Sequence, residues 1–105
     1  MFFYVAIKSH TLIPISKTIS ILDLECKDGK ITITLSNDGT VNMTDSDLIV
    51  MVDGTTKSTQ FNFNPNSIPI RSTAIATSSD TYEMNKVHTV TVVSPSNAVR
   101  ETLWC

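Results

Sequence analysis

The side chains of this chain that could do chemistry are few and scattered. They are two histidines, His10 and His88, two cysteines, Cys26 and Cys105, and a group of aspartates around Asp45-Ser46-Asp47. Zinc takes three or four cysteine and histidine ligands at short spacings, and neither histidine stands in such a pattern. A serine–histidine–carboxylate triad is recognised by geometry, so the many serines here indicate none, and His88 reads as a strand residue. Asp45 and Asp47, with Asp38 and Asp53 at nearby turns, offer oxygens of the kind calcium takes. The calcium-loop spacing is absent, however, and turn aspartates ordinarily bond their own backbone. The pattern predicts a protein that is not an enzyme and holds no metal or other cofactor.

The remaining marks are structural or covalent. Cys26 and Cys105 are either joined, closing most of the chain into one loop, or left as a buried thiol and a terminal one. In the chain-entropy model a loop of that length stabilises by roughly 4–5 kcal/mol. Asn42-Met43-Thr44 is the single N-glycosylation sequon, and its place between strands predicts an exposed asparagine. Trp104 is the only tryptophan and stands next to the terminus, so no stacking platform for a sugar is visible.

These residues are positioned by a chain whose turns are well marked. Each of its three glycines follows an aspartate, as Asp28-Gly29, Asp38-Gly39 and Asp53-Gly54, between runs of apolar and β-branched residues. Tight hairpin loops need positive φ, which glycine accepts freely and aspartate tolerates, so each pair predicts a hairpin turn. With Asp28-Gly29 as a two-residue loop, Lys27 faces Lys30. The register then pairs Cys26 with Ile31, Leu24 with Ile33 and Leu22 with Leu35 on a dry face, and Glu25 with Thr32 and Asp23 with Thr34 on a wet one. The inward phase changes near Ile21, where a β-bulge is expected.

Elsewhere residues 2–8 read as a strand, residues 11–15 as a connection and residues 55–61 as a polar edge strand. Residues 62–69 read as the longest loop, with Phe61 and Phe63 closing the core at its start. Residues 70–76 read as a strand carrying Ile70, Ala74 and Ala76 on one face and Ile75 on the other; residues 87–93 and 98–104 are the last two strands. Residues 48–52 are apolar on both faces. That strand is either covered on both sides within the molecule, or its Ile49 and Met51 meet another chain or a crossing element. No segment keeps a helical period, and the whole predicts an all-β fold, an immunoglobulin-like antiparallel β-sandwich of seven to eight strands, with a barrel as the alternative.

Composition fits one such domain across residues 1–105. A net charge of -2 and the lack of a basic stripe argue against nucleic acid as a partner. Charged residues are 17% of the chain, and a surface of serine and threonine in their place is common outside the cell. No apolar run approaches the ~20 residues of a bilayer span, although Met1-Phe2-Phe3-Tyr4-Val5-Ala6-Ile7 is apolar from its first residue.

Residues 31–41, ending in Asn37-Asp38-Gly39-Thr40-Val41, and residues 47–54, ending in Val52-Asp53-Gly54, resemble the globular domain of archaellins and of the archaellum stator proteins FlaF and FlaG. The stretch from His88 to Asn97 is similar to that group's closing strand and the turn after it. The Val-Asp-Gly ending and the His88 strand lean toward FlaG. The resemblance implies a structural component of the archaeal flagellum motor, held outside the cell membrane and beneath the S-layer by an N-terminal helix absent from this chain. It further implies a domain that self-associates, binds its sister stator protein, and meets the S-layer protein. The alternatives are the globular domain of an archaellin filament subunit and a secreted adhesion or sugar-binding module.

Overall fold

The computed structural model describes residues 15–57 and 60–105. The expected strand at residues 2–8, His10 and all but the last residue of the 11–15 connection lie outside the described residues. Ten strands follow in chain order: β1 (Ile19–Lys27), β2 (Lys30–Asn37), β3 (Met43–Thr44), β4 (Ile49–Val52), β5 (Thr55–Thr56), β6 (Phe61–Asn64), β7 (Ser67–Ile68), β8 (Thr73–Ser78), β9 (Val87–Val93) and β10 (Ala98–Trp104). Two four-stranded antiparallel sheets, ordered β1-β2-β8-β6 and β10-β9-β4-β5, form the all-β sandwich, and β3 and β7 add a short ribbon. Both sheets contribute to one core. Ile31, Ile33, Leu35, Ala74 and Ala76 come from the first, Val50, Val52, Val90 and Val92 from the second, and Met43 and Ile68 from the ribbon. Burying one such Ile or Val side chain contributes about 1.5–3 kcal/mol.

The first hairpin follows its expected register from Lys27↔Lys30 to Asp23↔Thr34, with Leu24 opposite Ile33 and Cys26 opposite Ile31. Asp28 at φ 54 and Gly29 at φ 82 supply the two left-handed residues that a type I′ loop demands. The ladder then shifts between Ile21 and Asp23, so Ile21 takes the place opposite Leu35. This corrects the Leu22–Leu35 pair: Leu22 is the extra residue of the bulge and is exposed.

Asp53-Gly54 repeats the first turn, at φ 53 and 83, between β4 and β5. Asp38-Gly39 does not, and the expectation of a third hairpin turn is corrected. Neither residue has positive φ; the chain there crosses the segment that leads into β1. A Cβ on Gly39 would overlap the Ser16 carbonyl oxygen and lie 2.8 Å from the Thr18 nitrogen. Glycine is required here because two backbones touch.

Three further expectations change. Residues 62–69 are not a loop throughout, since β6 pairs with β8 and β7 with β3, and only the bend around the cis Asn64-Pro65 bond separates them. Residues 55–61 do not make one edge strand: β5 ends after two residues, and Phe61 belongs to the other sheet. Ile70 lies before β8 and is exposed, while Ala74 and Ala76 face the core as expected. Phe61 is buried and Phe63 packs against the core from its edge.

Gly39→Ala is expected to destabilise the domain by about 2–4 kcal/mol through this backbone overlap. Gly54→Ala, with nothing within 4 Å of its Cβ and only the positive φ of 83 to strain it, is expected to cost about 1 kcal/mol. Urea unfolding midpoints check the order; equal losses would show that Gly39 is held open by conformation instead.

Candidate functional site

Strand β4 alternates between two environments, as its sequence requires. Val50 and Val52 point into the core, and Ile49 and Met51 stand on the outer face. The register carries that outer face across the sheet, with Ile49 beside Val93 and Val93 beside Ala98. Met51 stands beside Thr91, which stands beside Arg100. Directly opposed residues share a face, so Ile49, Val93 and Ala98 make an apolar row over β4, β9 and β10, with Met51 adjoining it. Ile49 keeps 46% of its surface exposed. The described residues therefore do not cover both faces of this strand.

The same end of the sandwich receives the incoming chain. The Asp38 N–H donates to the Thr18 carbonyl and the Thr40 N–H to the Ser16 carbonyl, each at 2.9 Å, while the Ser16 N–H donates to Thr40 Oγ1. From the other side, the Lys17 N–H donates to Ser96 Oγ at 2.8 Å. Asn97 then closes both polar groups of Ile19: its Oδ1 accepts from the Ile19 N–H at 3.0 Å and its Nδ2 donates to the Ile19 carbonyl at 2.9 Å. Asn37, fully buried, donates from Nδ2 to the carbonyls of Val41 and Ile68 and accepts from the Gly39 N–H. The two turns that looked like sequence punctuation thus grip one segment between them. Sequence reading missed Asn97 as a structural residue, because its partner is 78 positions away.

The aspartates are engaged in turns. Asp47 accepts from the Thr44 N–H and from Lys17 Nζ at 3.1 Å, and both hold its carboxyl below the usual range, the Thr44 bond most. Asp38 accepts from Ser36 Oγ. Asn42 is exposed, with its Oδ1 accepting from the Ile70 N–H at 3.0 Å; of the other sequon residues, Met43 is buried and Thr44 exposed. Cys26 and Cys105 are joined, with Cα atoms 5.1 Å apart, and tie the end of β1 to the residue after β10. Trp104 is exposed beside Val87, away from the Ile49 row.

His88 does more than occupy a strand. It is buried in β9, with Nδ1 2.6 Å from Asp53 Oδ2 and Nε2 2.8 Å from the Glu83 carbonyl oxygen. Both partners accept, so the doubly protonated ring satisfies both contacts, whereas a neutral ring turns one lone pair on an acceptor. The Glu83 carbonyl raises the His88 pKa most; burial and Lys86 act downward, the Asp53 carboxylate acts upward, and the net shift is upward. For Asp53, burial is the largest influence and acts upward, but the His88 bond, the Thr89 N–H and the charges of His88 and Lys86 together hold it down. Tyr82 packs edge-on against the ring at 5.8 Å between centroids.

The clasp therefore has two pH limits. The His88 contribution is complete below the ordinary value of 6.5 and is lost as pH rises through its raised folded value. The Asp53 contribution is complete above 3.8 and is lost as pH falls through its lowered folded value. Stability of the wild-type chain is expected to fall between about pH 5.5 and about pH 8.5, and that of His88→Gln to change less. Urea unfolding at the two pH values checks this; parallel behaviour of both proteins would exclude His88 as the source.

No family model and no curated protein matches the sequence of this chain. Among solved structures, it is similar to the archaellum periplasmic stator protein FlaG from Sulfolobus acidocaldarius. The TM-score is 0.64 at 16% identity, covering 82% of this chain and 98% of that one. It is similar also to the periplasmic stator complex of FlaF and FlaG from the same organism, with a TM-score of 0.63 at 15% identity, covering 89% and 93%. At this identity the likeness is one of fold.

Proposed function

We propose that this domain is a non-enzymatic structural component of the archaellum motor, a stator domain working outside the cell membrane and beneath the S-layer. The observation that carries this reading is the near-complete coverage of a FlaG stator domain by the same sandwich. The apolar row of Ile49, Val93 and Ala98, with Met51 beside it, supports a docking role, because it exposes hydrophobic surface on a well-formed sheet.

In this reading the Ile49–Met51 face joins a second copy of the chain, and a sister stator protein of the FlaF and FlaG kind completes the unit. The S-layer protein is the outer contact, an N-terminal helix preceding this domain is the membrane anchor, and Asn42 is the glycan acceptor. The complex of FlaF and FlaG among the similar structures supports the sister-protein partner.

Ile49→Lys and Met51→Lys are expected to shift the protein toward monomer without lowering its unfolding midpoint, since both side chains stand on the outer face. Light scattering across a concentration series reads the mass. An unchanged mass, or loss of folding, would place the interface elsewhere. In cells, a motile archaeon lacking its own copy is expected to regain swimming with the wild-type gene and not with Ile49→Lys. Normal swimming without any copy would overturn the stator role.

A further inference from the structure

Strands β1 and β10 lie side by side at the seam between the two sheets, in contact but without a ladder between them. They are fastened at both ends. At one end Asn97, just before β10, binds the N–H and carbonyl of Ile19, the first residue of β1. At the other, Cys26 of β1 is joined to Cys105, just after β10. The two strands therefore run in the same direction, and a pull on the incoming chain against the end of β10 loads the Ile19–Asn97 bonds in shear along with the β1–β2 ladder.

The covalent path has a second consequence. From residue 15 the chain passes along β1 to Cys26 and crosses the disulfide directly to Cys105, a jump of 79 positions in sequence. Residues 27–104 hang from this path as a side loop. A strand rises roughly 3.3 Å per residue, against at most roughly 3.6 Å for a fully drawn chain, so the path has almost no slack. We infer that residues 16–26 work as a tension strap, covalently closed by Cys26–Cys105 and spliced at its entry by Asn97, Ser96 and the 37–40 turn. Force arriving along the chain is carried by this strap while the rest of the sandwich is shielded from unravelling. The inference stands on the connectivity and does not depend on the stator reading.

Pulling the full chain between handles at Ile15 and Trp104 in an optical trap tests it. Oxidised protein, with the disulfide verified by intact mass, is expected to show no release longer than roughly 10 Å, and reduced protein one cooperative release of roughly 300 Å. In the reduced protein the load must cross the splice. There Asn97→Ala is expected to rupture at lower force, with an unfolding rate at zero load raised roughly tenfold by the loss of two hydrogen bonds. Ser96→Ala, a change at an exposed residue that removes only the acceptor of the Lys17 N–H, is expected to act in the same direction more weakly. Thr102→Ala, on β10 but outside the splice, is expected to match the wild type. A long release from oxidised protein, or equal rupture forces for wild type, Asn97→Ala and Ser96→Ala, would overturn the strap.

Discussion

The constraint on which the molecule depends is the unladdered seam between β1 and β10. Backbone hydrogen bonds hold each sheet together but none crosses from β1 to β10, so side chains at the two ends of the seam supply what the ladder does not. Asn97 mimics a neighbouring strand, offering one acceptor and one donor to the same residue, Ile19. The Cys26–Cys105 bond closes the other end covalently. Edge strands with unpaired backbone invite stray partners, and these two edges lie against each other without pairing their backbones.

The aspartate–glycine pairs serve three separate needs. At Asp28-Gly29 the pair makes a hairpin loop, set by its two positive φ angles, and the Gly29 carbonyl accepts from the Tyr82 N–H at 2.7 Å. At Asp53-Gly54 the same backbone is used, and the freed carboxylate accepts from Thr89 and holds His88. At Asp38-Gly39 the missing Cβ lets the chain cross over Ser16. Identical dipeptides therefore differ by what lies across from them, which local conformation does not reveal.

The outer surfaces of the two sheets differ in kind. On the first, Thr32, Thr34, Thr73 and Thr77 surround a single isoleucine, Ile75. On the second, apolar residues from three strands align at the end that receives the incoming chain. A docking face placed there sits close to the entry of the strap.

Much of the architecture was legible before any coordinates. The alternation in residues 22–35 sets which face is dry, the turn residues set where the hairpin closes, and the phase change at Ile21 announces the bulge. The exposure of Ile49 beside buried Val50 was open to two readings in a strand apolar on both faces, because burial of the second face depends on what the rest of the chain places over it. The Gly39 crossing, the Asn97 splice, the joining of Cys26 to Cys105 and the His88 clasp belong to the tertiary structure alone. Each pairs groups 20 to 80 residues apart, and spacing along a chain carries local conformational preference but not which distant segments meet. By itself the sequence determined the long strands, the Asp28-Gly29 and Asp53-Gly54 turns and the dry face of the first hairpin up to its bulge; the assembled sandwich decided which polar groups would fasten its seam, since only packing brings those groups within bonding distance.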